Sequence, residues 1–135
     1  NMATEILVND GGAPARILPY TAGSTVTAGK LVTIDTDGQV DHLDVSGTKA
    51  LGVALTAATT GNICNVISGH GVQLNVYASG NNIAIGDELV CAQGSSLAGI
   101  LVERSGSTGT HQGQVLAIAL ETGSATTGLI KVQVI

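Results

Sequence analysis

The sequence predicts an all-β fold: a compact single-domain barrel or sandwich of about ten short strands. Three observations predict it. Apolar residues alternate with polar ones at period two and almost never at the helical period. Short alternating segments recur every eight to twelve residues between Gly, Asp, Asn and Ser. The chain also carries 15 Thr and 14 Val, whose β-branched side chains fit a pleated surface. Leu, Ile and Val number 38 in 135 residues, enough for a real core in one domain.

Taken in order, the first nineteen residues stand apart. An apolar stretch, Ile6-Leu7-Val8, precedes the turn-rich joint Asp10-Gly11-Gly12-Ala13-Pro14. Such a segment is read as an extended N-terminal arm that orders on a partner, or as an edge strand completing a sheet. The β-rich domain then covers 20–135. Strands are expected at 16–20, 31–35, 39–43, 50–56, 63–68, 72–77, 88–92, 100–104, 115–121 and 129–135. In the sixth, Val72, Leu74 and Val76 share one face, with Gln73, Asn75 and Tyr77 on the other. In the last, Ile130, Val132 and Val134 oppose Leu129, Lys131 and Gln133. Nothing has the length and caps of a helix, although 57–60 has room for one turn.

The chain echoes itself. Val26-Thr27-Ala28-Gly29-Lys30-Leu31-Val32 is answered by Ile83-Ala84-Ile85-Gly86-Asp87-Glu88-Leu89-Val90. Leu51-Gly52-Val53-Ala54-Leu55, followed by Thr60-Gly61-Asn62-Ile63, is answered by Leu116-Ala117-Ile118-Ala119-Leu120, followed by Thr127-Gly128-Leu129-Ile130. The order is the same both times, which predicts two related β units, about 21–68 and 80–135, around one core.

Composition removes several function classes. Net charge is −5, and the five cations Arg16, Lys30, Lys49, Arg104 and Lys131 are scattered singly; with two Tyr and no Phe or Trp, neither a phosphate-binding patch nor a base-stacking platform exists, so no nucleic-acid partner is expected. The longest apolar run, Val115 to Leu120, has 6 residues against the roughly 18 of a membrane helix, so no membrane partner is expected either. No secretion signal opens the chain, and the Asn before Met2 reads as a processed or tagged start. Two cysteines, Cys64 and Cys91, in strand-like stretches read as buried reduced thiols, or else one bridge, and suit a protein made in the cytoplasm.

The candidates for chemistry are few. Asp35, Asp37, Asp41 and Asp44, with His42 among them, crowd ten residues and are the weak candidate for a cation site. Asp37-Gly38 lies between alternating strands, however, and a hairpin tip is the simpler reading. The histidines His42, His70 and His111 lack zinc-ligand spacing, and Gly69-His70-Gly71 reads as a turn. Gly94-Ser95-Ser96-Leu97-Ala98-Gly99 is not a nucleophile elbow, Gly29-Lys30 is no phosphate loop, and Glu121 reads as a strand-end surface residue. No catalytic set, cofactor site or metal site emerges.

The ordered set of short motifs nevertheless resembles a known family. Tyr20-Thr21-Ala22-Gly23, Val26-Thr27-Ala28-Gly29-Lys30-Leu31-Val32 and Leu51-Gly52-Val53-Ala54-Leu55-Thr56 look like the first half of small tailed-phage head decoration proteins, the capsid cement proteins. The second half continues with Gly69-His70-Gly71-Val72-Gln73-Leu74, Ile85-Gly86-Asp87-Glu88-Leu89, Leu116-Ala117-Ile118-Ala119-Leu120-Glu121 and Ile130-Lys131-Val132-Gln133-Val134. The resemblance spans about 20–135 and rests on order and spacing. It implies a non-enzymatic structural virion protein that binds the outer surface of an expanded capsid and clamps adjacent major capsid proteins. It implies a homo-oligomer too, most often a trimer and otherwise a dimer, made in the host cytoplasm. The expected capsid-binding residues are Ile6, Leu7, Val8, Arg16, Ile17 and Leu18. Two alternatives carry less. A carbohydrate- or receptor-binding β module on a virion has only Tyr20 and Tyr77 for sugar stacking. A trimeric nucleotide hydrolase has only the generic Ser46-Gly47 and Ser105-Gly106 as phosphate loops.

Overall fold

Eleven strands make up the described structure, a computed structural model that describes residues 5–10, 16–43, 50–79, 83–92, 98–104, 115–123 and 127–135. They are β1 (Leu7–Asn9), β2 (Arg16–Thr21), β3 (Leu31–Ile34), β4 (Val40–His42), β5 (Gly52–Ala54), β6 (Ile63–Ser68), β7 (Gln73–Ala78), β8 (Glu88–Cys91), β9 (Leu101–Glu103), β10 (Ala117–Ala119) and β11 (Gly128–Val134). No helix occurs among the described residues, and each of the ten expected strands has its counterpart. The segment 57–60 forms no helical turn; Ala58 instead bridges Val26 in antiparallel fashion.

Apart from β1, the strands divide between two sheets at the boundary between the two halves of the chain. One sheet has the order β2-β6-β5-β3-β4, and the other β1-β7-β11-β10-β8-β9. Setting β1 aside, the two orders are one topology used twice, with β2 to β6 replaced in turn by β7 to β11. Both sheets curl until their outer strands meet through a parallel contact, Ala22 with Val40 in the first and Ala78 with Leu101 in the second. The backbone bonds repeat as well. Gly29 N–H donates to Ala54 O and Gly86 N–H to Ala119 O, both at 2.8 Å; Leu51 N–H donates to Val32 O at 2.8 Å and Leu116 N–H to Leu89 O at 2.9 Å. Gly23 N–H to Val40 O and Ser79 N–H to Leu101 O form another matched pair at 2.9 Å. The turn glycines of the sequence echo, Gly29 and Gly86, have φ of 90° and 93°, a region that costs residues with a Cβ about 1–2 kcal/mol.

These matches put the two interiors in register. Ala22, Val26, Val32, Val40, Ala54, Cys64 and Val66 line the first unit; Ala78, Ile83, Leu89, Leu101, Ala119, Ile130 and Val132 take their places in the second, and all fourteen are buried. The echo seen in the sequence holds residue for residue from Val26 with Ile83 to Gly29 with Gly86 and at β5 with β10, while along β3 Val32 stands where Leu89 does, one residue off the two Leu-Val pairs. It shifts by one at β6 with β11, where Leu55 N–H to Asn65 O corresponds to Leu120 N–H to Lys131 O. Ile63 therefore matches Leu129 and not Ile130, because Leu120 and its partner Lys131 are 11 residues apart where Leu55 and Asn65 are 10.

One core joins the units. Leu31, Leu43, Val53 and Ile67 from the first sheet pack with Leu74, Leu89, Leu101 and Val132 from the second. Gly99 stitches the seam: its C=O accepts Leu31 N–H at 2.8 Å and its N–H donates to Leu43 O at 2.6 Å. Tyr77 N–H donates to Gly29 O at 2.8 Å, and the Lys30 ammonium lies 5.7 Å from the centre of the Tyr77 ring. Both cysteines are buried and neither is in a disulfide, with Cys64 Sγ 3.4 Å from Thr56 O and Cys91 Sγ 3.4 Å from Leu43 O.

Candidate docking surface

The N-terminal segment runs along the outside of the β6–β7 corner. In β2, Arg16 stands opposite Ser68; in β1, Asn9 stands opposite Gln73. Since Ser68 and Gln73 are separated only by the turn at Gly69-His70-Gly71, the end of β1 and the start of β2 come to one end of the molecule. The six residues picked from the sequence part company there. Ile6 is 7 % exposed and belongs to the main core, and Leu7 is half-buried against it. Val8, Ile17 and Leu18 are 44 %, 44 % and 49 % exposed, and Arg16 is exposed beside them. The exposed aliphatics on β1 and β2, with one cation, are surface able to exclude water against a partner.

The two readings of Ile6-Leu7-Val8 are thereby resolved for the part that is described. Leu7–Asn9 is an edge strand, antiparallel to β7 and carrying a bulge between Leu7 and Asn9. It is fastened by Asn75, whose N–H donates to Ile6 O at 2.8 Å and whose side-chain amide donates to Glu5 O at 2.6 Å. The joint at 11–15 lies outside the described residues.

The acidic stretch forms a hairpin tip. Gly38, at φ 82°, donates to Asp35 O, Asp35 N–H donates to Gln39 O, and Asp37 Oδ1 accepts Gln39 N–H at 2.9 Å. The Asp41 carboxylate is held below its usual range by side-chain hydrogen bonding with Asp35 and with Ser24. Asp44 lies outside the described residues. Among the described residues, no three His, Cys, Asp or Glu side chains converge in a way that would hold a metal ion.

His42 is tied into the fold. Its Nε2 accepts Thr27 N–H at 3.0 Å, and burial, aided by the charge on Lys30, pushes the imidazole below its usual pKa. His70 is exposed in its turn, and Glu121 Oε1 accepts Lys131 N–H at 2.6 Å at the strand end where it was expected. His111, Ser46, Ser95, Ser96 and Ser105 lie outside the described residues.

Two features had no clear signal in the sequence. One is a carboxyl pair on the second unit, where Asp87 Oδ2 accepts Ala84 N–H at 2.8 Å. That bond, with one from Glu103, lowers the Asp87 pKa, while the Asp87 contact raises that of Glu103. The other is an apolar cleft of about 450 Å³ between the units, lined by Leu51, Val53, Ile67, Leu116, Val134 and Ile135 with Ser68 and His70 as polar members. Its lining is drawn from strands of both sheets, so only the closed topology brings these residues together.

The duplicated, closed all-β architecture defines a fold found in phage head proteins. The chain is similar to the N base of the head fiber gp8.5 of bacteriophage phi29, with a TM-score of 0.63 and 18 % identity over 90 % of this chain and 95 % of that one. It is similar also to a chain from the capsid of Myoviridae phage XM1, with a TM-score of 0.64 and 17 % identity over 98 % of this chain and 93 % of that one. No family model and no curated protein sequence matches the chain.

Proposed function

We propose that this chain is a structural protein of a phage virion that docks on the outer surface of the expanded head and braces adjacent major capsid subunits. One observation carries the reading: the fold is shared, over nearly its whole length, with a phi29 head-fiber base and with a chain of the XM1 capsid. The exposed patch supports it. Val8, Ile17 and Leu18 with Arg16 offer the shell a water-excluding contact, and Ile6 and Leu7 seat the strand that carries Val8. The N-terminal segment to residue 19 serves as the docking arm and 20–135 as the body. The protein works as a homotrimer on the shell, where repeated modest contacts add by avidity, so no single interface need be large. Such a role calls for no catalytic group and no cofactor.

The test is co-sedimentation of the purified protein with undecorated heads of its source virus, comparing expanded shells with unexpanded procapsids. Saturable binding to expanded shells, with a rise in their melting temperature, supports bracing and gives the copy number. Absence of binding to either form overturns the reading.

A further inference from the structure

The duplication leaves one place in the fold unfilled. Beside β7 in the second unit, ahead of its closure on β9, lies β1; beside the matching stretch of β2, ahead of the Ala22–Val40 closure, no strand lies among the described residues. The internal match aligns Leu18 with Leu74 and Pro19 with Asn75. Leu74, opposite Leu7 in the ladder, is fully buried in the core that also holds Ile6, whereas Leu18 is 49 % exposed. Leu18 and Ile17 are bare at the position where, in the other unit, a strand covers their counterparts.

The backbone at this edge is open as well. Ala22 N–H donates toward β6, to Asn62 O, and Gly23 N–H donates the other way, to Val40 O. Alternation along β2 then turns Arg16, Leu18 and Tyr20 toward β6, and Ile17 and Pro19 outward. Within 16–19 the outward groups are the N–H and C=O of Ile17 and the C=O of Pro19, since proline has no N–H.

We propose that this edge accepts an extended strand from a shell subunit, hydrogen-bonded at Ile17 and covering Ile17 and Leu18, in the position that β1 fills beside β7. The inference rests on the docking function proposed above. Pro19 argues against a second copy's β1 as the occupant. In its own slot that strand relies on Asn75 N–H to satisfy Ile6 O, and Pro19 offers nothing in its place. The fitting occupant is a different extended segment, with apolar side chains for Ile17 and Leu18 and no acceptor opposite Pro19.

Hydrogen exchange and one substitution test this on the intact protein. In 16–19 the only outward N–H is that of Ile17, so exchange of this segment reports a single slot. The expected result is rapid exchange of Ile17 in the free protein and exchange slowed at least about tenfold on expanded shells, the equivalent of one hydrogen bond gained. Ile17→Pro removes the outward donor and leaves the β2–β6 ladder intact; it is expected to weaken shell binding about tenfold with the melting temperature retained, whereas Ile17→Val, which keeps the N–H and trims one methylene from the contact, loses clearly less. If the parent binds shells but Ile17 stays unprotected and Ile17→Pro binds equally well, the strand slot is refuted and the docking function stands. Protection of Ile17 in the free protein, together with sedimentation as an oligomer, overturns the choice of occupant in favour of another copy. Failure of the parent to bind any shell overturns the docking function and this inference with it.

Discussion

Gly99 gives the sharpest test of how the two units are joined. It holds φ at 77°, and a Cβ built there meets Leu31 O and the Lys30 Cβ at 2.9 Å, closer than van der Waals contact allows. Gly38 serves as the reference, because its φ of 82° is much the same but nothing lies within 4 Å of its added Cβ. Alanine at Gly38 meets only the left-handed conformation, costing about 1–2 kcal/mol, less about 0.4–1 kcal/mol recovered from the stiffer unfolded chain. Alanine at Gly99 meets the same two effects and also a collision with a backbone oxygen in a packed seam, for which overpacking data suggest about 1–3 kcal/mol more. The backbone must move to relieve it, and movement strains the Gly99 bonds to Leu31 and Leu43. Gly99→Ala is therefore expected to lose about 2–4 kcal/mol, and Gly38→Ala about 1 kcal/mol. Urea unfolding of both variants at a common slope measures the difference. Equal losses at the two sites would refute Gly99 as the point where the units lock together.

Other consequences follow from the same coordinates. Leu74→Ala opens a cavity in the shared core and is expected to cost about 2–5 kcal/mol, while Leu18→Ala at the matching exposed position costs the free protein less than about 1 kcal/mol; thermal melts of the two compare them directly. His42 has a folded pKa below its unfolded one, so the unfolded chain binds the proton more readily. The stability this gives is complete above the unfolded value and is lost as pH falls through the folded one. Melting temperature should decline from pH 7.5 to pH 5, and that decline should flatten in His42→Gln. The two cysteines are buried, and burial raises the Cys64 thiol pKa, so a maleimide should label both slowly in buffer and rapidly in urea.

Much of the fold was legible because the strands are half-buried and short. Alternation in β7 and β11 shows in the sequence as it stands in the sheet, and the glycines at 29 and 86 mark matched turns where a positive φ is required. The duplication showed for the same reason: turns need particular residues, and Gly29 and Gly86 had to stay alike. The strand interiors tolerate exchange of one aliphatic for another, as Val40 for Leu101 or Cys64 for Ile130, and carry a weaker echo. That tolerance also hid the one-residue shift at β11. The candidate docking residues were only half legible. Ile6-Leu7-Val8 is a uniform apolar run, and nothing in it says that Ile6 enters the core while Val8 faces water, because that depends on which strand lies alongside.

The same dependence explains why exposure, and not hydrophobicity, separates the candidate contacts. A chain that repeats a closed β unit would place equivalent residues in equivalent surroundings if nothing else were added. Among the described residues β1 is added to one unit only, and it converts the edge of β7 into an interior position. Asn75 has the donors to receive it, and Pro19, at the matching site, has not. A proline on an open edge with an arginine beside it is how β proteins discourage copies of themselves from stacking edge to edge. Ile17 and Leu18 nevertheless remain uncovered on that edge, and leaving two large aliphatics about half in water gains nothing for the isolated domain. The combination of an edge closed to self-pairing and a bare apolar surface on it is what a chain needs if it is to stay apart in solution and join a shell.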